Sequence, residues 1–158
     1  MISTALSSVA ARAGWFARAF TCLFALTLLA QSASAVERVL KIEAPAFAVP
    51  DTQVKFTVHA STDAGGNERI GFFHIESSSD GGKTWVGRCF EQNMGASTVR
   101  MYMVPTGPAG SKTILRARVA FRGGKAGDVD YTGAAIKWQE SWTTWGEPPA
   151  RIATVEVK

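Results

Sequence analysis

Apolar and polar residues alternate in short runs along most of this chain, and clusters of Gly, Pro, Asp and Ser separate the runs. A period of two is the signature of strands that bury one face. Seven such runs stand out: Arg38 to Glu43, Gln53 to Ala60, Arg69 to Ser77, Thr84 to Glu91, Thr98 to Val104, Lys112 to Arg122 and Arg151 to Val157. The first offers Leu40 and Ile42 to a core. The second sets Val54, Phe56 and Val58 against Lys55, Thr57 and His59. The third and fourth, joined by a Gly-rich turn, predict a hairpin. In the fifth, the alternation puts Met101 and Met103 on one face with Val99, which reads as core. The sixth is the clearest, with Leu115, Ala117, Val119 and Phe121 on one face and Lys112, Arg116, Arg118 and Arg122 on the other. The seventh buries Ala153, Val155 and Val157.

Short strands with frequent turn signals and almost no helical periodicity predict an all-β fold, an immunoglobulin-like antiparallel two-sheet sandwich of about seven strands. Residues 123 to 150, before the last strand, form a connection much longer than a hairpin loop, and such excursions are commonly functional or structured in their own right.

The first 35 residues follow a different rule. Arg12 and Arg18 precede an apolar run from Phe20 to Ala30, and Ala33 and Ala35 provide the small-x-small site of a cleavable signal peptide. The run is short for a membrane-spanning helix, and Cys22 lacks the setting of a lipid-anchored cysteine. The expectation is a signal peptide over 1–35, a single domain over 36–158, and a periplasmic or secreted product without a membrane anchor. Removing 35 residues from 158 leaves 123, the size of one domain. The segment carries two basic residues and no acid. The rest of the chain therefore holds 15 Lys and Arg against 13 Asp and Glu, too even a balance to argue for nucleic acid. Of the two cysteines only Cys89 lies beyond the segment, so no intramolecular disulfide is available there and stability rests on packing. A buried thiol on a strand is the expectation for Cys89.

The best-defined motif is Ser78-Ser79-Asp80-Gly81-Gly82-Lys83-Thr84-Trp85. An Asp at the head of a tight turn accepts backbone N–H groups across the loop, the glycines allow positive φ, and the Trp packs under the hairpin. Ser78, Asp80, Gly82, Thr84 and Trp85 thus form a structural turn. The motif resembles the Asp-box hairpin of sialidases and other β-propellers, where it is structural; one copy cannot build a propeller. With its flanking strand from Ile70, the Leu115-Arg116-Ala117-Arg118 run and Ile152 to Val157, it also resembles the immunoglobulin-like dimerisation domain at the C-terminus of molybdenum-dependent sulfite oxidases. That resemblance covers about half of the 36–158 region and implies a partner-contacting module. That family's cofactor-binding catalytic domain is absent from this sequence, so no cofactor is expected and Cys89 is not read as a molybdenum ligand.

Four further features could carry function. Trp138, Trp142 and Trp145 fall within eight residues; exposed, they would stack on a glycan or anchor a protein, while their i, i+4, i+7 spacing also suits a plug at the sandwich end. The stripe containing Arg116 and Arg118, joined across the sheet by Arg88 or Arg100, would face an acidic partner, or else pair with residues such as Glu76 and Glu91. Asp128 and Asp130 resemble part of a calcium loop but lack its other ligands, which favours a turn. His59, His74, Met94, Met101, Met103 and Cys89 are the candidate soft ligands of a copper carrier, with nothing in the spacing to make them converge, so no metal site is assigned. No catalytic constellation is present in the sequence. The expectation is a non-enzymatic module that binds a protein, with a glycan-binding module and a copper-handling protein as alternatives and homodimer formation left open.

Overall fold

A computed structural model describes residues 35–138 and 148–158. The strands are β1 (Arg38–Glu43), β2 (Phe47–Ala48), β3 (Gln53–Thr62), β4 (Arg69–Ser78), β5 (Val86–Gln92), β6 (Ser97–Pro105), β7 (Lys112–Gly124), β8 (Gly127–Val129) and β9 (Arg151–Val157). No helix occurs among the described residues. One sheet has the order β1-β3-β6 and the other β2-β9-β7-β4-β5, with β8 pairing to β7. All seven expected strands are present. The two additions, β2 and β8, have two and three residues, too few for an alternation to register. The β2–β9 pairing is parallel, and every other ladder is antiparallel.

The core is the layer between the sheets. Val54, Phe56, Val58 and Ala60 of β3 meet Ile70, Phe73 and Ile75 of β4 and Leu115, Ala117, Val119 and Phe121 of β7, with Leu40, Val104 and Val155 completing it. Burying a large aliphatic or aromatic side chain contributes roughly 1.5–3 kcal/mol. Because β7 lies between β4 and β9, its alternation is read out on both sides and its phase is fixed twice.

The fifth run departs from expectation. Cross-strand partners share a face, and β3 pairs Val54 with Val104, Phe56 with Tyr102 and Val58 with Arg100. Since Val54, Phe56 and Val58 are core, Tyr102 and Arg100 point inward toward the flank. Val99, Met101 and Met103 point out and are 55, 67 and 53% exposed. The phase taken from hydrophobicity alone is therefore inverted on this strand.

The long connection starts as structure. β7 turns at Gly123, whose φ of 83° is natural for glycine, and β8 returns along it, so that Val129 joins the core beside Phe121. Asp130 then accepts from Thr132 N, Thr132 Oγ1 and Ala134 N at 2.7, 2.6 and 3.2 Å and caps a turn. Asp128 is tied elsewhere, to Arg122. The two carboxylates act as turn and ion-pair partners, and no metal-holding cluster of His, Cys, Asp and Glu occurs among the described residues.

A buried carboxylate joins three strands without any local motif. Glu68, at the entry to β4, accepts from Arg38 Nε and Nη2, each at 2.7 Å, and from Thr62 Oγ1 at 2.7 Å. The fork clips β1, the end of β3 and the start of β4 together. The hydrogen bonds from Arg38 hold the Glu68 carboxyl below its usual range. A depressed carboxylate pKa contributes stability above the unfolded value of about 4.3, and that stability is lost as pH falls through the folded value. We expect Glu68→Gln to cost about 2 kcal/mol at pH 7 in urea denaturation and to flatten the loss of stability below about pH 4. An unchanged midpoint would contradict this role.

Candidate functional site

Three surfaces compete for a function: the β4–β5 turn, the outer face of the larger sheet, and the outer face of β6.

In the turn, Asp80 Oδ1 accepts from Ser78 Oγ at 2.7 Å and from Lys83 N and Thr84 N at 3.0 Å, while Oδ2 accepts from Thr84 Oγ1 at 2.6 Å. Ser78 Oγ also accepts from Gly82 N at 2.8 Å. Thr84, through its hydroxyl and amide, is the main reason the Asp80 carboxyl lies far below its usual range. Gly82 has φ of 91°, and its Cα approaches the Trp85 ring, which a Cβ would meet at 3.6 Å. Both carboxylate oxygens of Asp80 accept hydrogen bonds from within the turn.

On the outer face of the larger sheet, the proposed basic stripe is consumed by its neighbours. Arg116 Nε donates to Glu76 Oε2 at 2.8 Å, and its guanidinium lies 3.7 Å from the centroid of Trp85. Arg122 pairs with Asp128 at 2.6 Å and stands over Phe72. Arg100 does not join this face: it lies on β6 of the smaller sheet, points toward the flank and pairs with Glu91 at 2.7 and 3.1 Å. Arg118 corrects the sequence reading outright: it lies on the outward face of β7 yet is 0% exposed, with Nη2 3.2 Å from His74 Nδ1. Burial pushes its guanidinium down to about 10, because removal from water disfavours the charged form. The same burial, aided by Arg118, lowers His74. Alternation assigns a residue to a face and is silent on whether that face is covered. Arg118 is therefore not available to meet a partner.

Trp138 sits above this face. Its Nε1 donates to Asp128 Oδ2 at 2.7 Å and its ring meets Phe72 edge-on at 5.1 Å. That arrangement ties Trp138 to the sheet; Trp142 and Trp145 lie outside the described residues. The candidate soft ligands fall on both sheets: His59 shares the outer face of the three-stranded sheet with Met101 and Met103, whereas His74 and Cys89 belong to the other sheet. His59 is on the outer face of the three-stranded sheet beside Glu43, and His74 is on the outer face of the other, with the core between them. Cys89 is half-buried on β5, in the flank where Glu91, Arg100 and Tyr102 also gather; burial pushes its thiol up, away from the reactive thiolate.

The third surface was missed because its residues were assigned to the core. Val99, Met101 and Met103 form a row on β6, an edge strand. The signal that finds it is the partner register, which sequence does not contain.

No family model matches the chain, and no curated protein matches it. Among solved structures, a superoxide reductase (neelaredoxin) from Ignicoccus hospitalis is similar at a TM-score of 0.45 and 13% identity, over 78% of this chain and 84% of that one. A likeness of that degree carries no argument about the site.

For the turn, Asp80→Ala should raise amide hydrogen exchange at Lys83 and Thr84 while leaving exchange at the centre of β7 unchanged. Retained protection at both amides would show that the hairpin closes without the carboxylate.

Proposed function

We propose that this chain is an exported, non-catalytic interaction module that binds a protein partner through the outer face of the β1-β3-β6 sheet. The observation that carries the reading is the exposed row Val99, Met101 and Met103. Single exposed apolar residues are ordinary, whereas contiguous ones mark surfaces that expect company. Methionine suits such a surface, since its unbranched, polarisable side chain repacks against varied partners. The surroundings support the same reading: Lys41 and Glu43 on β1 and His59 on β3 supply a polar rim around the apolar row. On the opposite sheet Arg116 and Arg122 are engaged in internal ion pairs, whereas the β6 row carries no charge on its outward side chains.

A photo-crosslinking amino acid placed at position 101, in cells expressing the full chain, should give a discrete protein adduct. The same probe at position 83, in the β4–β5 turn, should give far less. Equal yields at the two positions, or no adduct at 101, would overturn the assignment of the surface.

A further inference from the structure

We infer that β6 pairs antiparallel with β6 of a second copy of this chain, about a two-fold axis through Met101, so that the β1-β3-β6 sheet continues across the dimer. This rests on the β6 face being the interaction surface and goes further by naming the occupant and the register.

The first argument is the contrast among sheet edges. An edge strand exposes unpaired N–H and C=O groups, and proteins blunt such edges with charges, bulges or very short strands. Here β1 carries Arg38, Lys41 and Glu43. β2 has two residues. β5 is broken by a register shift opposite Ile75 and Glu76 and contains Gly87. By contrast β6 is nine residues long, pairs regularly with β3 throughout, and has no lysine and no bulge. Its one charge, Arg100, is neutralised by two hydrogen bonds to Glu91 of the same chain. Pro105 sits at the strand end.

The second argument is self-complementarity. Met101 is the middle residue of Ser97–Pro105. An antiparallel register with Met101 opposite its own counterpart sets Val99 against Met103, Ser97 against Pro105 and Arg100 against Tyr102 of the second copy. All nine residues find partners. Six exposed apolar side chains meet on the outer face, where directly opposed Cβ atoms lie about 4.5–5.5 Å apart. No like charges oppose one another: Lys55 pairs with Met103 on its own β3–β6 ladder and stays about three strand spacings from His59 of the other copy. A slip of one residue would set Arg100 against Met101, an outward residue against an inward one, and lose the apolar match. A two-fold interface must match one patch to itself, which this strand does and a charged edge such as β1 does not. A single strand pair covers less than a standard interface, so the dimer belongs to the weak, concentration-dependent class.

The test combines light scattering with disulfide trapping on the protein purified from cells expressing the full chain. At about 100 μM the mass should be that of two chains, falling toward one on dilution. Met101→Lys, at an exposed position that leaves the core intact, should weaken association by about tenfold or more, with thermal unfolding unchanged at dilutions where both proteins are single chains. With Cys22 and Cys89 both replaced by Ser, Met101→Cys should oxidise to a covalent dimer. Met103→Cys alone should not, and Met103→Cys mixed with Val99→Cys should. A single-chain mass at every concentration would overturn the inference, as would a dimer insensitive to Met101→Lys or Met103→Cys trapping as readily as Met101→Cys. If the chain is monomeric while position 101 crosslinks to a different protein, the interaction surface stands and the second copy as occupant falls.

Discussion

Everything in this structure depends on one layer of apolar side chains closed between two sheets. Cys89 is a free thiol, so no disulfide shares the load. Phe56, Phe73, Phe121, Ile70, Ile75 and Leu115 are fully buried in that layer, and their strands are obliged to turn the intervening residues outward. The outer faces are therefore a consequence of the core: whichever residue alternates with a buried neighbour is delivered to a surface, whatever its polarity. Packing at near-crystalline density leaves little freedom to change that phase.

The two outer faces use this delivery differently. On the larger sheet, alternation brings up Arg116, Arg118, Arg122, Glu76 and His74, and the chain answers most of these with internal partners: Glu76 for Arg116, Asp128 for Arg122, and the Trp85 and Phe72 rings beneath the guanidinium groups. On the smaller sheet it brings up Val99, Met101 and Met103 at an edge. A face whose charges are spent internally contributes to stability. The other leaves Val99, Met101 and Met103 in water on an edge strand, and the proposed partner surface lies there.

Much of the scaffold was legible in the chain. The hairpin turn could be read residue by residue, because Asp80, Ser78, Gly82 and Thr84 act over four or five positions and sequence neighbours are spatial neighbours there. The β7 pattern was legible because it is long and unambiguous. Three things were not. The phase of β6 depends on Val54, Phe56 and Val58, some 45 residues away in sequence, whose pairing pulls Tyr102 and Arg100 inward against simple hydrophobic ranking. The burial of Arg118 depends on what lies over its face, which no local period encodes. The Glu68 clip joins residues 30 apart and left no motif. In each case the missing information is tertiary register, and the β6 error concealed the surface on which the functional reading now rests.

Amide hydrogen exchange in the unmodified protein, followed strand by strand as concentration is raised, tests the central claim most directly. If β6 is a working edge, protection along residues 98–104 should increase with concentration while β1 at residues 38–43 stays as it was. Exchange on β6 that is fast and independent of concentration, matching β1, would contradict a pairing edge and return the row of Val99, Met101 and Met103 to ordinary surface.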